Sequence, residues 1–132
     1  MNFHLLDACI LLTIQACEKK DNGASLRDII GFYDYINHDI LTWEELNASV
    51  LKLKATGQVT LQGQFLRAGA EYHAWWTAQF GAKKRINIAK ETQATLGYLN
   101  ELTVPGTSPV ISAIIDPDDF QQALADYINK SN

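Results

Sequence analysis

A mainly α chain with one small β-hairpin is the fold class this sequence predicts, and three observations predict it. Apolar residues recur at helical spacing behind capping signals at Ser25, Thr42 and Asp116. Two short alternating segments flank Gly63 in the pattern of a hairpin. Helical patterns run both before and after that hairpin, so helix dominates. At 132 residues, with 47% apolar and 20% charged side chains, the chain reads as one soluble globular domain. A chain of this length buries roughly two-thirds of its unfolded surface, so it folds without a disulfide or a metal.

The elements follow in order. Residues 2–20 form a strongly apolar helix that ends in Glu18, Lys19 and Lys20, and the two lysines suit the negative end of the helix dipole. The stretch DNGA at 21–24 stops it, with Gly23 free to take positive φ. Ser25 opens the second helix with Asp28 three residues on, and Leu26, Ile29, Ile30 and Tyr33 make its apolar stripe. That helix stops near Ile36, and NHDIL is a turn with an apolar anchor. Thr42 and Glu45 form a full capping box for the third helix. Leu46, Val50 and Leu53 face its core side, and Gly57 ends it.

QVTLQ and QFLRA are two short strands in which Val59, Leu61, Phe65 and Arg67 alternate across the ribbon. GAEYHAWWTAQF is a fourth helix, and GAKKR at 81–85 a basic connector. Residues 86–102 are helical, with Ile88, Thr92, Leu96 and Leu99 on one side. TVPGTSP is a loop, and VISAII is a short strand or a buried extended segment. In the last helix Asp116 is the N-cap, Pro117 takes the first position, and two acids occupy the first turn. Phe120, Leu124, Tyr127 and Ile128 are its buried stripe.

The apolar run LLDACILLTIQAC resembles a secretion signal at first sight. No Lys or Arg precedes it, Asp7 interrupts it, and Gln15 is bulky for a cleavage site. It is also too short to span a membrane. It is therefore read as the first helix of a cytoplasmic protein. Cys9 and Cys17 lie about 12 Å apart along that helix, too far to bridge. Both are read as small buried apolar residues in a reducing compartment.

The first helix followed by SLRDII, INHDILTWEELNASVLKLKATGQV and GQFLRAGAEY resembles the winged helix-turn-helix superfamily, and within it the small bacterial winged-helix proteins. The resemblance covers about residues 1–80. It departs from the family at Ala68, where a threonine cap is common. It implies a winged helix-turn-helix over 1–80, with a C-terminal helical extension over 81–132 packed on it as one compact domain. In such folds the second helix of the helix-turn-helix reads the major groove and the wing touches the backbone. Carried over, the DNA-contacting candidates are Glu44, Asn47, Ala48 and Lys52 on the third helix, and Gln62, Gln64 and Arg67 on the wing.

Charge argues the other way. The chain carries a net −4 with a pI of about 5.2, whereas DNA-held proteins show a basic face. Residues 1–60 hold five basic and eight acidic side chains. Lys83, Lys84, Arg85 and Lys90 against Glu91 make 81–100 the one basic stretch, outside the helix-turn-helix, and a DNA-binding mode would have to enlist Lys83, Lys84 and Arg85 as contacts. On a wheel of about 100° per residue, Glu44, Ala48, Leu51 and Ala55 lie opposite the core face of the third helix. Asn47 and Lys52 flank them. Asn47 has the chemistry to read adenine. The strip of Ala48, Leu51 and Ala55 is instead a surface for protein.

No catalytic constellation stands in the sequence. His4, His38 and His73 are scattered without ligand spacing, and no Cys-x-x-Cys, nucleophile elbow or phosphate loop occurs. Acid pairs such as Glu44/Glu45 and Asp118/Asp119 sit in first helical turns, where the dipole explains them. Neither enzyme activity nor a cofactor is expected. Trp75 and Trp76 lie about 100° apart on their helix. One is core, and the other is covered by the C-terminal helices or anchors a dimer.

Two functions are expected. One is a DNA-binding transcriptional regulator, dimeric, acting on duplex DNA. The other is a protein-protein interaction module, binding itself or another protein, that no longer binds DNA. A third reading, with only composition behind it, is a small effector pocket among Tyr72, Trp75, Trp76 and Tyr98.

Overall fold

The computed structural model describes residues 2–20, 22–81, 87–102 and 113–131. Lys83, Lys84 and Arg85, the TVPGTSP loop and the first part of VISAII lie outside the described residues. Among those described, six helices and three short strands follow one another as α1 (Leu5–Cys17), β1 (Ala24–Ser25), α2 (Leu26–Asn37), α3 (Trp43–Ala55), β2 (Val59–Gln62), β3 (Phe65–Ala68), α4 (Ala70–Phe80), α5 (Ile88–Asn100) and α6 (Pro117–Ser131).

α1 is the centre of the molecule. Every residue from Asp7 to Ile14 is buried, because a helix apolar on all sides can be satisfied only by neighbours on all sides. α2, α3 and α5 supply them, and β3 lies along it. The helix is shorter than the sequence suggests. It ends at Cys17, so Lys19 and Lys20 stand beyond its last turn. Lys19 instead bridges to Gly23 and turns the chain back into β1. Gly23 sits at φ +78, and a Cβ there would meet the Leu66 carbonyl oxygen at 2.8 Å. The DNGA stretch thus does more than stop α1. It starts a two-residue strand that pairs with β3, a strand the sequence pattern does not reveal.

The helix caps fall where the sequence places them. Ser25 Oγ accepts from the Asp28 amide, and the Thr42–Glu45 capping box is complete in both directions. At the far end of α3 the Gly57 amide donates to the Lys54 carbonyl and the Gln58 amide to the Leu53 carbonyl. That is the Schellman pattern, which needs the positive φ of 76° that Gly57 supplies. Asp116 Oδ1 accepts from the amides of Asp118 and Asp119 and so caps α6.

The sheet is antiparallel with order β1-β3-β2. The strands alternate, and their register decides which residues face inward. Leu61 pairs with Leu66 and Val59 with Ala68, so Val59, Leu61, Leu66 and Ala68 share the inner face. Phe65 and Arg67 point outward, Phe65 with 39% of its surface exposed. The cause is the two-residue loop at Gly63-Gln64 between paired Gln62 and Phe65. Loop length fixes register, and a shift of one residue exchanges the two faces of a strand.

α5 packs on α1 and α6 on α2. Leu99, Ile115 and Phe120 belong to the same core cluster as Ile10, Ile30 and Leu46. The C-terminal helices therefore complete one core and form none of their own. Tyr127 links α6 to α2: its hydroxyl donates to Asp34 at 2.6 Å, and its ring packs over Gly31, where any larger residue would crowd it.

Candidate functional site

The outer surface of α3 is where sequence reasoning places the function. Its exposed line is the expected one. Glu44, Ala48 and Ala55 are exposed, and Leu51 is half-buried. Lys54, not singled out by sequence reasoning, is exposed beside them.

The two polar flanks of that line are engaged by the chain itself. Asn47 is only 6% exposed. Its Oδ1 accepts from the backbone amides of Ile114 (2.8 Å) and Ile115 (2.9 Å). Four residues earlier on the same helix, the Trp43 indole N–H donates to the Ile115 carbonyl at 2.8 Å. Residues 43 and 47 are one helical turn apart, so they stack on one side of α3. Together they grip the segment that leads into α6. The Ile115 side chain is driven into the core beside them. Asn47 is thus a clamp for the chain's own backbone, and the carboxamide that would read adenine is occupied.

Lys52 is likewise engaged. Its Nζ pairs with Asp7 Oδ2 and donates to the Asn2 carbonyl at 3.2 Å, and it lies over the Phe3 ring. Asp7 is 3% exposed and fully coordinated. Ser49 donates to Oδ1 at 2.7 Å, and the His4 amide donates to Oδ2 at 2.8 Å. A carboxylate in the interior needs such partners. The network Asp7–Ser49–Lys52 ties the start of α1 to the middle of α3. Ser49 is 1% exposed, so this group is structural despite its nucleophile-like composition.

On the hairpin, Gln62 and Gln64 are exposed at the tip. Arg67 is half-buried beside Glu18, 3.8 Å from its carboxylate, and reaches the Lys20 carbonyl. His73 of α4 approaches the same carboxylate at 2.6 Å. The candidate DNA contacts are therefore scattered: Asn47 at the C-terminal segment, Lys52 at the N-terminus, Arg67 on Glu18, and the glutamines alone at the hairpin tip.

Trp75 and Trp76 are both half-buried, and both pack against α5. Trp76 donates its indole N–H to Glu91 of α5 at 3.0 Å. Trp75 packs against Tyr98 of α5 with ring centroids 4.9 Å apart, and against Tyr72 and Phe80. Tyr72 is wholly buried, its hydroxyl 2.9 Å from Thr95 Oγ1. Aromatic rings at these distances fill the space between them. The expected pocket among Tyr72, Trp75, Trp76 and Tyr98 is instead packed core.

Both cysteines are free thiols, Cys9 buried and Cys17 partly so. Burial pushes the Cys17 thiol up to about 12, assisted by the nearby Asp28 charge. Such a thiol stays protonated and unreactive. Among the described residues no group of three His, Cys, Asp or Glu side chains could hold a metal ion. No described helix is long and apolar enough to cross a membrane. Scanned against protein-family models, curated proteins and solved structures, the chain matches none of them.

Proposed function

We propose that this chain is a winged-helix scaffold that works as a protein-interaction module in the cytoplasm and does not read DNA. The element order α1-β1-α2-α3-β2-β3 and the sheet order β1-β3-β2 support the scaffold. One observation carries the function. Asn47 and Lys52, the α3 side chains suited to a base edge and a phosphate, are bound by Ile114, Ile115 and Asp7 of the same chain. What α3 offers outward is Glu44, Ala48, Leu51 and Ala55. An acid at the tip repels phosphates, and alanine and leucine side chains carry no donor to hold one.

The regulator reading retains a specific warrant in exposed Lys54 and the basic residues Lys83, Lys84 and Arg85. A titration separates the two. Labelled generic duplex DNA at low salt, followed by fluorescence anisotropy, should show no saturable binding. A DNA-held protein would bind with a log-log salt slope of about −0.9 per phosphate neutralised. A slope of that kind would overturn the interaction-module reading. Loss of that binding on changing Lys83, Lys84 and Arg85 to alanine would then place the contact outside α3.

A further inference from the structure

The outward face of α3 carries its free residues at a particular spacing. Glu44, Ala48 and Ala55 are exposed and Leu51 is half-buried. They follow one another by four, three and four positions, the narrow seam of a helix that packs against another helix. The flanks beside the seam are taken: Asn47 holds the Ile114 and Ile115 amides, and Lys52 is paired with Asp7. We propose that this seam binds the α3 of a second copy of the chain, antiparallel about a two-fold axis. The inference rests on the interaction-module reading and names the partner of that surface.

Charge selects the second copy. α3 has Glu44 and Glu45 in its first turn and Lys52 and Lys54 in its last. Glu45 and Lys52 are already used within the chain. Glu45 accepts from the Thr42 amide and hydroxyl, and Lys52 is held by Asp7. Glu44 and Lys54 are exposed, and among the described residues neither forms an ion pair. The face thus offers a free acid at one end and a free base at the other. An antiparallel copy satisfies both at once, acid to base at each end. A parallel copy would set Glu44 against Glu44. A two-fold interface is self-complementary, so each of these contacts is made twice.

The spacing also sets the register. With the axis between Ala48 and Leu51, each Leu51 lies against Ala48 of the other copy, large against small. Each Glu44 then lies against Ala55 of the other copy, beside its Lys54. Alanine at these two positions lets the helix axes approach to about 8 Å, the close end of helix packing. One helix face is a small interface, so the dimer is weak and concentration-dependent. Exposed ion pairs add little affinity, but they fix orientation and disfavour the like-charged alternative.

Sedimentation equilibrium of the full chain without DNA, at concentrations reaching about 1 mM, is the test. A reversible monomer–dimer equilibrium is expected. Glu44→Lys and Lys54→Glu should each weaken it about tenfold or more, because like charges then face each other at both ends. An equimolar mixture of the two variants should dimerise as the parent does, and so should the chain carrying both changes. A chain that stays monomeric, a dimer that ignores the single reversals, or no recovery in the mixture and the double variant would each overturn the proposal. Amide shifts of the unaltered chain between dilute and concentrated samples should centre on Glu44, Ala48, Leu51 and Ala55. Shifts centred elsewhere would overturn it even if a variant fails to fold. A monomer that also binds no DNA would end the self-pairing and leave the interaction-module reading standing.

Discussion

Replacing Asp7 with alanine should destabilise the protein by about 3 kcal/mol, the low end of the roughly 3–5 kcal/mol seen when one partner of a buried ion pair is removed. The low end applies because the Lys52 side chain keeps 21% of its surface exposed, against 4% for Asp7. With Asp7 gone, Lys52 retains, among the described residues, the Asn2 carbonyl and the Phe3 ring. Ser49, at 1% exposure, loses its acceptor, and so does the His4 amide. In a domain of this size the loss corresponds to a fall in Tm of roughly 10 °C. Urea unfolding of Asp7→Ala, Lys52→Met and the double variant gives the test. The double variant should be less destabilised than the sum of the singles, because no lone buried charge is left. Simple additivity would mean that the pair contributes no coupling and that Lys52 is not held by Asp7.

Asn47→Ala should have the second-largest effect, about 2 kcal/mol, from stranding the buried Ile115 amide and the part-buried Ile114 amide. Asn47→Asp, which keeps an acceptor at that position, should cost less. The same urea titration measures both. An alanine variant as stable as the parent would show that the segment before α6 is not fastened through Asn47.

These two residues also mark where the sequence was legible and where it was not. Local rules carried far. Ser25, Thr42, Gly57 and Asp116 each terminate a helix as their chemistry requires. The stripe of Leu46, Val50 and Leu53 faces the core, and the strip of Ala48, Leu51 and Ala55 faces away from it. Long-range pairing was not legible. β1 is two residues long and is defined by its pairing with β3, in which the partner of Ala24, Leu66, lies forty-two positions away. Which face Phe65 and Arg67 take was not legible either, because register is set by the hairpin loop, not by apolar character.

The fate of Asn47 is the same kind of case. A wheel projection puts it at the flank of an exposed face, and nothing local says that residues 114–115 return to cover it. Asp7 gave a clearer signal. A single acid inside an apolar helix implies a buried partner, and that partner proved to be Lys52, a presumed phosphate contact. Side chains chosen as DNA readers on one helix are in this way recruited by the two ends of the described chain.

Amide hydrogen exchange at Ile114 and Ile115 tests this account most directly. If Asn47 holds them as the geometry indicates, both amides should exchange slowly, with protection approaching that of the α3 core amides at Val50 and Leu53. Exchange at nearly unprotected rates would mean that the segment leaves α3 freely. Asn47 would then be available to an outside partner, and the case against DNA reading would lose its main support.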